Sequence, residues 1–222
     1  MLEEKMQKRF APGLALAGLF TLGLAGPASA LEVGITPDLQ SLEVPHGDET
    51  VTIQRIQDTE NRLDNEFAKT SRPCPPFCVQ PMDLGRGVET LGEAEFLEYL
   101  GQLGERDDLL IIDSRGPDDY ARGTIPGAIN IPWQELNIDG DAEPADVRDI
   151  MLDKFSVMDH WDLLDFSNAK TLVLFCNGPW CGQSPTNIRT LTNLGYPGHK
   201  IKWYRGGMQM WHTLGLTTVE GR

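Results

Sequence analysis

The chain has 222 residues, of which 40% are hydrophobic, and its 33 acidic side chains outnumber its 19 basic ones to give a net charge of −14. At ~100–200 residues per domain, this length allows one domain with an extension. The acidic balance argues against nucleic acid and anionic membranes as partners, because both carry negative charge.

The first thirty residues have the layout of a secretory signal peptide. An apolar stretch over residues 10–25 precedes a small-x-small cleavage site at Ala28-Ser29-Ala30. The basic start consists of Lys5, Lys8 and Arg9. Because the apolar stretch is shorter than the ~20 residues of a membrane-spanning helix, a cleaved signal is favoured over an anchor. We expect an exported, periplasmic protein with no membrane association after residues 1–30 are removed.

Residues 31–87 are predicted to form an extension of short strands and irregular chain. Leu42–Val44 and Val51–Ile56 have strand character, with a turn at 46–48 between them. Segment 72–81 contains four prolines, which exclude a helix or a central strand. We predict a rigid, extended loop there.

From Val88 onward, short apolar strands alternate with helices, which indicates an α/β domain over residues 88–222 with a central, mainly parallel sheet. In the last long helix, Ser184 is the expected N-cap, Pro185 the first helical residue and Gly195 the residue after the end. The predicted strands are Leu109–Asp113, Ala128–Ile131, Thr171–Phe175 and Ile201–Tyr204, and the predicted helices are Glu93–Leu103, Ala145–Phe155 and Ser184–Leu194.

Cys176 directly follows a predicted buried strand, where ligands bind in open α/β sheets. The residues between Cys176 and Ser184 form a glycine-containing loop that leads into a helix N-terminus. Such a loop turns backbone N–H groups inward, favours an anion at its centre and lowers the pKa of a thiol there. Cys176 is therefore the predicted nucleophile. The residues expected to cradle the anion are Asn177, Gly178, Pro179, Trp180, Gly182 and Gln183.

Three segments after residue 88 carry a family signature. Asp113-Ser-Arg115 and Gly123-Thr-Ile-Pro-Gly-Ala128 match its Asp-x-Arg and Gly-x-Ile-Pro-Gly-Ala motifs, and Tyr204-Arg-Gly-Gly207 matches its closing strand and glycine turn. The chain thus resembles the rhodanese (thiosulfate sulfurtransferase) domains, in which Cys176 occupies the active-site position. The resemblance implies a rhodanese-like three-layer fold in which Asp113 and Arg115 support the strand ends beneath the site.

The activity implied by this resemblance is sulfur transfer through a persulfide on Cys176, with no metal and no cofactor. The donor would be a small sulfur-containing anion such as thiosulfate, or a protein persulfide, and the acceptor would be a thiophilic molecule or protein.

This chain departs from the family pattern at one important position: many relatives carry arginine five residues after the cysteine, where this chain has Cys181. Arg115 and Arg205 are the remaining cations that could approach the site. The same absence argues against phosphatase chemistry, which needs Cys-x5-Arg.

Cys181 allows two interpretations: a resolving thiol that attacks a persulfide or sulfenate on Cys176, or a packing residue beside Trp180. The first supports an alternative function, thiol–disulfide exchange by Cys176 and Cys181. A third candidate is a non-catalytic, sulfur-binding accessory module.

Cys74 and Cys78 form a second possible thiol pair. If Pro75-Pro76 is polyproline-like, their Cα atoms lie ~12 Å apart at ~3.1 Å per residue, beyond the ~7 Å limit of a disulfide. The loop could instead turn sharply and pair them, or the extension could fold over the active-site face and pair them with Cys176 or Cys181. A four-cysteine zinc site is a further alternative.

Overall fold

The computed structural model describes residues 32–63, 66–161 and 163–222, so the predicted signal peptide lies outside the described residues. The described residues belong to one compact unit. No helix among them is long and apolar enough to cross a membrane.

Nine strands and five α-helices form within this part of the chain. The strands are β1 (Ser41–His46), β2 (Glu49–Gln54), β3 (Glu89–Leu91), β4 (Leu109–Asp113), β5 (Ala128–Asn130), β6 (Met158–His160), β7 (Leu163–Asp165), β8 (Thr171–Phe175) and β9 (Ile201–Tyr204). The helices are α1 (Glu93–Leu100), α2 (Pro117–Arg122), α3 (Pro144–Phe155), α4 (Gln183–Asn193) and α5 (Gly207–Thr213). Short 3-10 turns cover Glu66–Ala68, Trp133–Leu136 and Gly198–Lys200.

Five strands form one sheet in the order β3-β9-β8-β4-β5, and every neighbouring pair is parallel. Strand β8 lies at the centre, and its residues from Leu172 to Phe175 are all buried. A central parallel strand is covered on both faces, which explains its uninterrupted apolar sequence. The predicted parallel sheet is confirmed.

Helices cover both faces of this sheet. Because successive strand residues point to opposite faces, Ile111 and Val173 join one hydrophobic core with α1 and α5. Their neighbours Ile112 and Leu174 join a second core with α3 and α4. This arrangement confirms the predicted three-layer α/β fold.

The extension contributes to the first of these cores. Strands β1 and β2 form an antiparallel hairpin, as their sequences predict. Val44 and Ile53 on this hairpin are fully buried in the core that contains Phe96 and Trp211. The elements not predicted from the sequence are β3, α2, the β6–β7 hairpin and α5, which are all short.

Two local predictions were wrong. Segment 72–81 does not run extended: it makes a tight turn in which Cys74 and Cys78 are disulfide-bonded with their Cα atoms 4.8 Å apart, and the Cys74–Pro75 and Pro75–Pro76 peptide bonds are cis. Ser184 is not an N-cap and Pro185 is not the first helical residue, because α4 begins at Gln183 with Gly182 at the cap. Gly195 does follow the end of α4, and its φ of +96° suits glycine.

A buried ion pair braces the carboxyl end of β4. Asp113 is fully buried, and Arg115 donates to both of its carboxylate oxygens, at 2.9 Å from Nε to Oδ1 and 2.6 Å from Nη2 to Oδ2. The hydroxyl of Thr124 donates to Oδ2 at 2.8 Å, and Arg115 also donates to the carbonyl of Gly123. The two charges thus tie the end of β4 to the segment that leads into β5.

We predict that Asp113→Ala lowers the free energy of unfolding by about 3–5 kcal/mol, because it leaves the Arg115 guanidinium buried without its counter-charge. Urea denaturation measures the change. The control is Asp108→Ala, which removes a partner from the exposed Arg106–Asp108 pair and should cost less than about 1 kcal/mol. Equal losses in both variants would contradict the bracing role.

Candidate active site

Cys176 lies at the carboxyl end of the central strand, where the start of α5 holds the backbone of the following loop. The carbonyl of Cys176 accepts a hydrogen bond from the Met208 N–H at 3.0 Å, and the carbonyl of Asn177 accepts one from the Gln209 N–H at 2.8 Å. Gly207 makes this approach possible: its φ is +52°, and a Cβ atom there would collide with the Cys176 carbonyl. The first two peptide carbonyls of the loop are therefore both anchored to the start of α5.

The loop from Asn177 to Gln183 presents fewer free N–H groups than its length suggests. Pro179 has no N–H, and the N–H of Cys181 is used inside the loop, where it donates to the Gly178 carbonyl at 2.9 Å. The backbone groups that hydrogen-bond to the Cys176 sulfur are the N–H groups of Gly178 and Ser184. The cradle thus uses Gly178 from the predicted set, together with the first turn of α4.

The Cys176 thiol is only 2% exposed. Burial alone raises its pKa, but hydrogen bonds from the Cys181 thiol, from the N–H and hydroxyl of Ser184 and from the Gly178 N–H outweigh that effect, so the pKa of Cys176 is lowered. These groups stabilise a thiolate without any cationic side chain. As a neutral thiol, Cys176 lies 3.5 Å from the Cys181 carbonyl, to which it donates.

Cys181 has the opposite electrostatic setting. Its buried thiol donates to the Gln183 side-chain oxygen at 3.4 Å while Cys176 is neutral, and it can donate to the Cys176 sulfur once that group is ionised. Both its burial and the neighbouring sulfur raise its pKa well above the ordinary value. The two free thiols are therefore in contact and unequal: Cys176 ionises first, and Cys181 stays protonated beside it. This contact is one that a resolving thiol requires, and the choice between a resolving and a packing role for Cys181 stays a prediction.

A pair of buried serines supports the thiolate, and the sequence analysis recognised only one of them. The hydroxyl oxygens of Ser184 and Ser114 lie 3.0 Å apart, and both side chains are fully buried. When Ser184 donates to the Cys176 sulfur, Ser114 can donate to Ser184. Ser114 follows β4, which pairs with β8 so that Asp113 lies opposite Phe175. The signal in the sequence that could have identified Ser114 is its position directly after a predicted parallel strand, which matches the position of Cys176 after its own strand.

The two arginines considered from the sequence are both held by other groups. Arg115 is bound to Asp113 at the carboxyl end of β4, and its supporting role in the site stays a prediction. Arg205 donates from Nη2 to the carbonyl of Gln80 at 2.9 Å. Both guanidinium groups are therefore engaged in contacts within the protein in this structure.

The extension crosses the Cys176 loop as a segment that we call the strap, residues Glu66–Gln80. The ring of Phe77 meets Trp180 edge-on with centroids 5.2 Å apart, and the Arg72 guanidinium lies 4.8 Å from the Trp180 ring. The Gln80 N–H donates to the Pro179 carbonyl at 2.9 Å. The strap therefore contacts the loop through both side chains and backbone.

The disulfide between Cys74 and Cys78 decides among the pairings left open by the sequence. Cys176 and Cys181 are free, so neither pairs with the extension. With two cysteines consumed in a disulfide, the four-cysteine zinc site does not form. Across the described ranges, no group of three or more His, Cys, Asp or Glu side chains is placed to hold a metal ion.

Comparison with protein families identifies the domain. A model of the rhodanese-like domain matches residues 96–214, which is more than half of the chain. The chain belongs to the rhodanese-like family. In this rhodanese-like chain, the match includes Asp113, Arg115 and the whole Cys176 loop but excludes the strap.

The individual proteins that resemble this chain share 30% or less of its sequence over the matched residues. The chain is 30% identical over 138 residues to an HTH-type transcriptional regulator of Mycobacterium tuberculosis, in a match that covers 62% of this chain and 48% of the regulator. The rhodanese-like chain thus spans about half the length of that curated relative.

Among solved structures, a human single-domain sulfurtransferase has 26% identity and a TM-score of 0.38, with 57% of this chain and 97% of that chain covered. A thiosulfate sulfurtransferase from Pseudomonas aeruginosa has 24% identity and a TM-score of 0.40, with 62% and 21% covered.

We predict that the midpoint of Cys176 alkylation against pH lies below the ~8.5 of a free thiol. Ser184→Ala removes a hydroxyl donor to the thiolate and should raise that midpoint by roughly one pKa unit, since a hydrogen bond to a charged group contributes ~1.5–3 kcal/mol. Iodoacetamide rates, with the site located by mass spectrometry, provide the measurement. Ser167→Ala, at an exposed serine on another part of the surface, is the control and should leave the midpoint unchanged. An unshifted midpoint in Ser184→Ala would exclude the hydroxyl as a donor.

Proposed function

We propose that this rhodanese-like chain is a sulfurtransferase that carries sulfane sulfur as a persulfide on Cys176. One observation supports this most directly: the Cys176 thiol, at the end of the central strand, has a lowered pKa and receives hydrogen bonds from Gly178, Ser184 and Cys181. A thiolate is the reactive form of cysteine. The same donors suit the terminal sulfur of a persulfide, which is also an anion.

In the first half-reaction, the Cys176 thiolate attacks the outer sulfur of the donor. With thiosulfate, the new bond joins Cys176 to that sulfur, the donor's sulfur–sulfur bond breaks, and sulfite leaves with the electron pair. The N–H groups of Gly178 and Ser184 stay close to the negative charge as it moves onto the terminal sulfur. Because these donors are fixed by the protein, they need no reorganisation during the transfer.

In the second half-reaction, a thiophilic acceptor attacks the terminal sulfur and releases Cys176 as a thiolate. The acceptor is a small nucleophile or the thiol of a partner protein, and a protein persulfide is an alternative donor to thiosulfate. If the signal peptide is functional, this exchange takes place after export, in the periplasm. Sulfur transfer of this kind needs no metal or cofactor.

Thiol–disulfide exchange is the second candidate, and the contact between the two free thiols favours it. Cys176 attacks a substrate disulfide to form a mixed disulfide, and Cys181 then displaces the substrate thiol. The raised pKa of Cys181 suits a group that must stay protonated until the first step is complete. A non-catalytic, sulfur-binding module is the third candidate. It is supported by the relative from Mycobacterium tuberculosis, which is named as a transcriptional regulator and not as an enzyme.

We expect Cys176→Ser to abolish persulfide formation, because a serine hydroxyl is not ionised near neutral pH and cannot hold sulfane sulfur. The measurement is intact-protein mass spectrometry after incubation with thiosulfate, in which the wild type gains the mass of one sulfur atom. Circular dichroism should be unchanged, since the substitution is nearly isosteric. A sulfur adduct of equal yield in Cys176→Ser would refute the assignment.

Cys181→Ala distinguishes the two enzyme candidates. Under sulfur transfer, this variant should keep persulfide loading and lengthen the lifetime of the adduct, because no neighbouring thiol remains to displace the sulfur. Under thiol–disulfide exchange, it should lose turnover and trap a mixed disulfide on Cys176, because an intramolecular thiol normally resolves that species. We expect the first result. A trapped mixed disulfide without a sulfur adduct from any donor would establish the second function.

A further inference from the structure

The strap is attached at both ends and held in the middle by a disulfide. Near its start, the ring of Phe67 packs on His212 with centroids 4.8 Å apart, and the Phe67 carbonyl accepts a hydrogen bond from the Gln209 side chain at 2.9 Å. At its end, Arg205 donates to the carbonyl of Gln80. None of these contacts involves Cys74 or Cys78.

The middle of the strap covers the Cys176 loop. Phe77 lies between the two disulfide-bonded cysteines and contacts Trp180, while Arg72 is close to both rings, 4.9 Å from Phe77 and 4.8 Å from Trp180. Trp180 belongs to the loop that links Cys176 to α4, and Cys176 and Cys181 are 2% and 5% exposed. A sulfur donor or a disulfide substrate has little access to either thiol while the strap is seated.

The disulfide determines where Phe77 stands. It closes a loop of five residues, Cys74–Cys78, and holds the Cα atoms of the two cysteines 4.8 Å apart. Opening it increases the number of conformations available to residues 74–78. Docking Phe77 on Trp180 then costs residues 74–78 more conformational entropy. The middle of the strap therefore separates more often from the loop. The end contacts persist, which makes the change local and reversible.

The disulfide is also placed for attack from solution. Cys74 is exposed at the tip of the turn, whereas Cys78 is half-buried. A thiolate approaching from outside therefore reaches the Cys74 sulfur more readily, and the Cys78 sulfur is the leaving group. Exposed disulfides on short surface loops belong to the more readily exchanged class.

We propose that Cys74–Cys78 is a second redox site, reduced by dithiols, that controls access to Cys176. The dithiol's first thiolate attacks Cys74, forms a mixed disulfide and releases Cys78 as a thiolate that takes up a proton. The dithiol's second thiol displaces Cys74 in the same way. Two electrons and two protons pass to the pair, and the reductant leaves as a disulfide. The proposal does not depend on which reaction Cys176 performs.

The test compares iodoacetamide alkylation of Cys176 in the oxidised protein and in protein reduced with dithiothreitol and then desalted. Fragment-ion mass spectrometry separates Cys176 from Cys181, and circular dichroism monitors the fold. We expect the alkylation rate to rise about tenfold or more on reduction. In parallel, hydrogen exchange should accelerate at the Phe77 and Cys78 N–H groups, which donate to the Pro73 and Pro76 carbonyls in the turn that the disulfide closes, and should stay unchanged at the anchored Gln80 N–H. No sulfur donor is used, so the result is independent of the sulfurtransferase assignment.

Three variants complete the design. Cys74→Ser/Cys78→Ser should show the fast rate with or without dithiothreitol. Phe77→Ala, which keeps the disulfide, should also be fast without reductant, because it removes the ring that contacts Trp180. The matched control is Trp161→Ala on the β6–β7 hairpin, an aromatic that is 98% exposed, and it should behave as the wild type.

Two results would overturn the proposal: equal Cys176 alkylation rates in oxidised and reduced protein, or a disulfide that dithiothreitol leaves intact in the folded protein. The wild-type comparison needs no substitution, so it decides the matter even if the double serine variant fails to fold.

Discussion

The parallel pairing of β4 with β8 is the constraint on which the site depends. It sets Asp113 opposite Phe175, so that the residues after both strands emerge at one edge of the sheet. Ser114 is thereby brought to Ser184, and the Asp113–Arg115 pair is buried at the carboxyl end of β4. A shift in this register would move the nucleophile away from its donors and expose the ion pair at the same time.

The site stabilises an anion with dipoles instead of a cation. Hydroxyl, thiol and backbone N–H groups converge on Cys176, and the nearby arginines are bound to Asp113 and to Gln80. Dipoles held by a buried framework act strongly because little water competes with them. The arrangement also separates the two thiols electrostatically, since burial and the neighbouring Cys176 sulfur make ionisation of Cys181 harder.

The extension belongs to the same structure as the domain it precedes. Its hairpin is buried against α1 and α5, and its strap contacts the Cys176 loop. The family match begins only at residue 96, so the contacts of Arg72, Phe77 and Gln80 are features of this chain that the family signature does not encode. Any account of access to Cys176 must therefore include the segment outside the match.

The sequence by itself determined the α/β class, the identity of the central strands and the place of Cys176 at a strand end. These follow from local patterns: an apolar run such as Thr171–Phe175 is recognisable without knowing its neighbours. The active-site signature around Asp113 is equally local.

Tertiary structure alone decided the remainder. Which N–H groups point at the sulfur depends on how the loop closes on Gly178, and the role of Ser184 depends on Ser114, which is 70 residues away. The Cys74–Cys78 pairing could not be derived from spacing, because it required the chain to turn where two prolines suggested extension. Contacts between distant segments form only when the sheet brings them together, and no local pattern in the sequence records them.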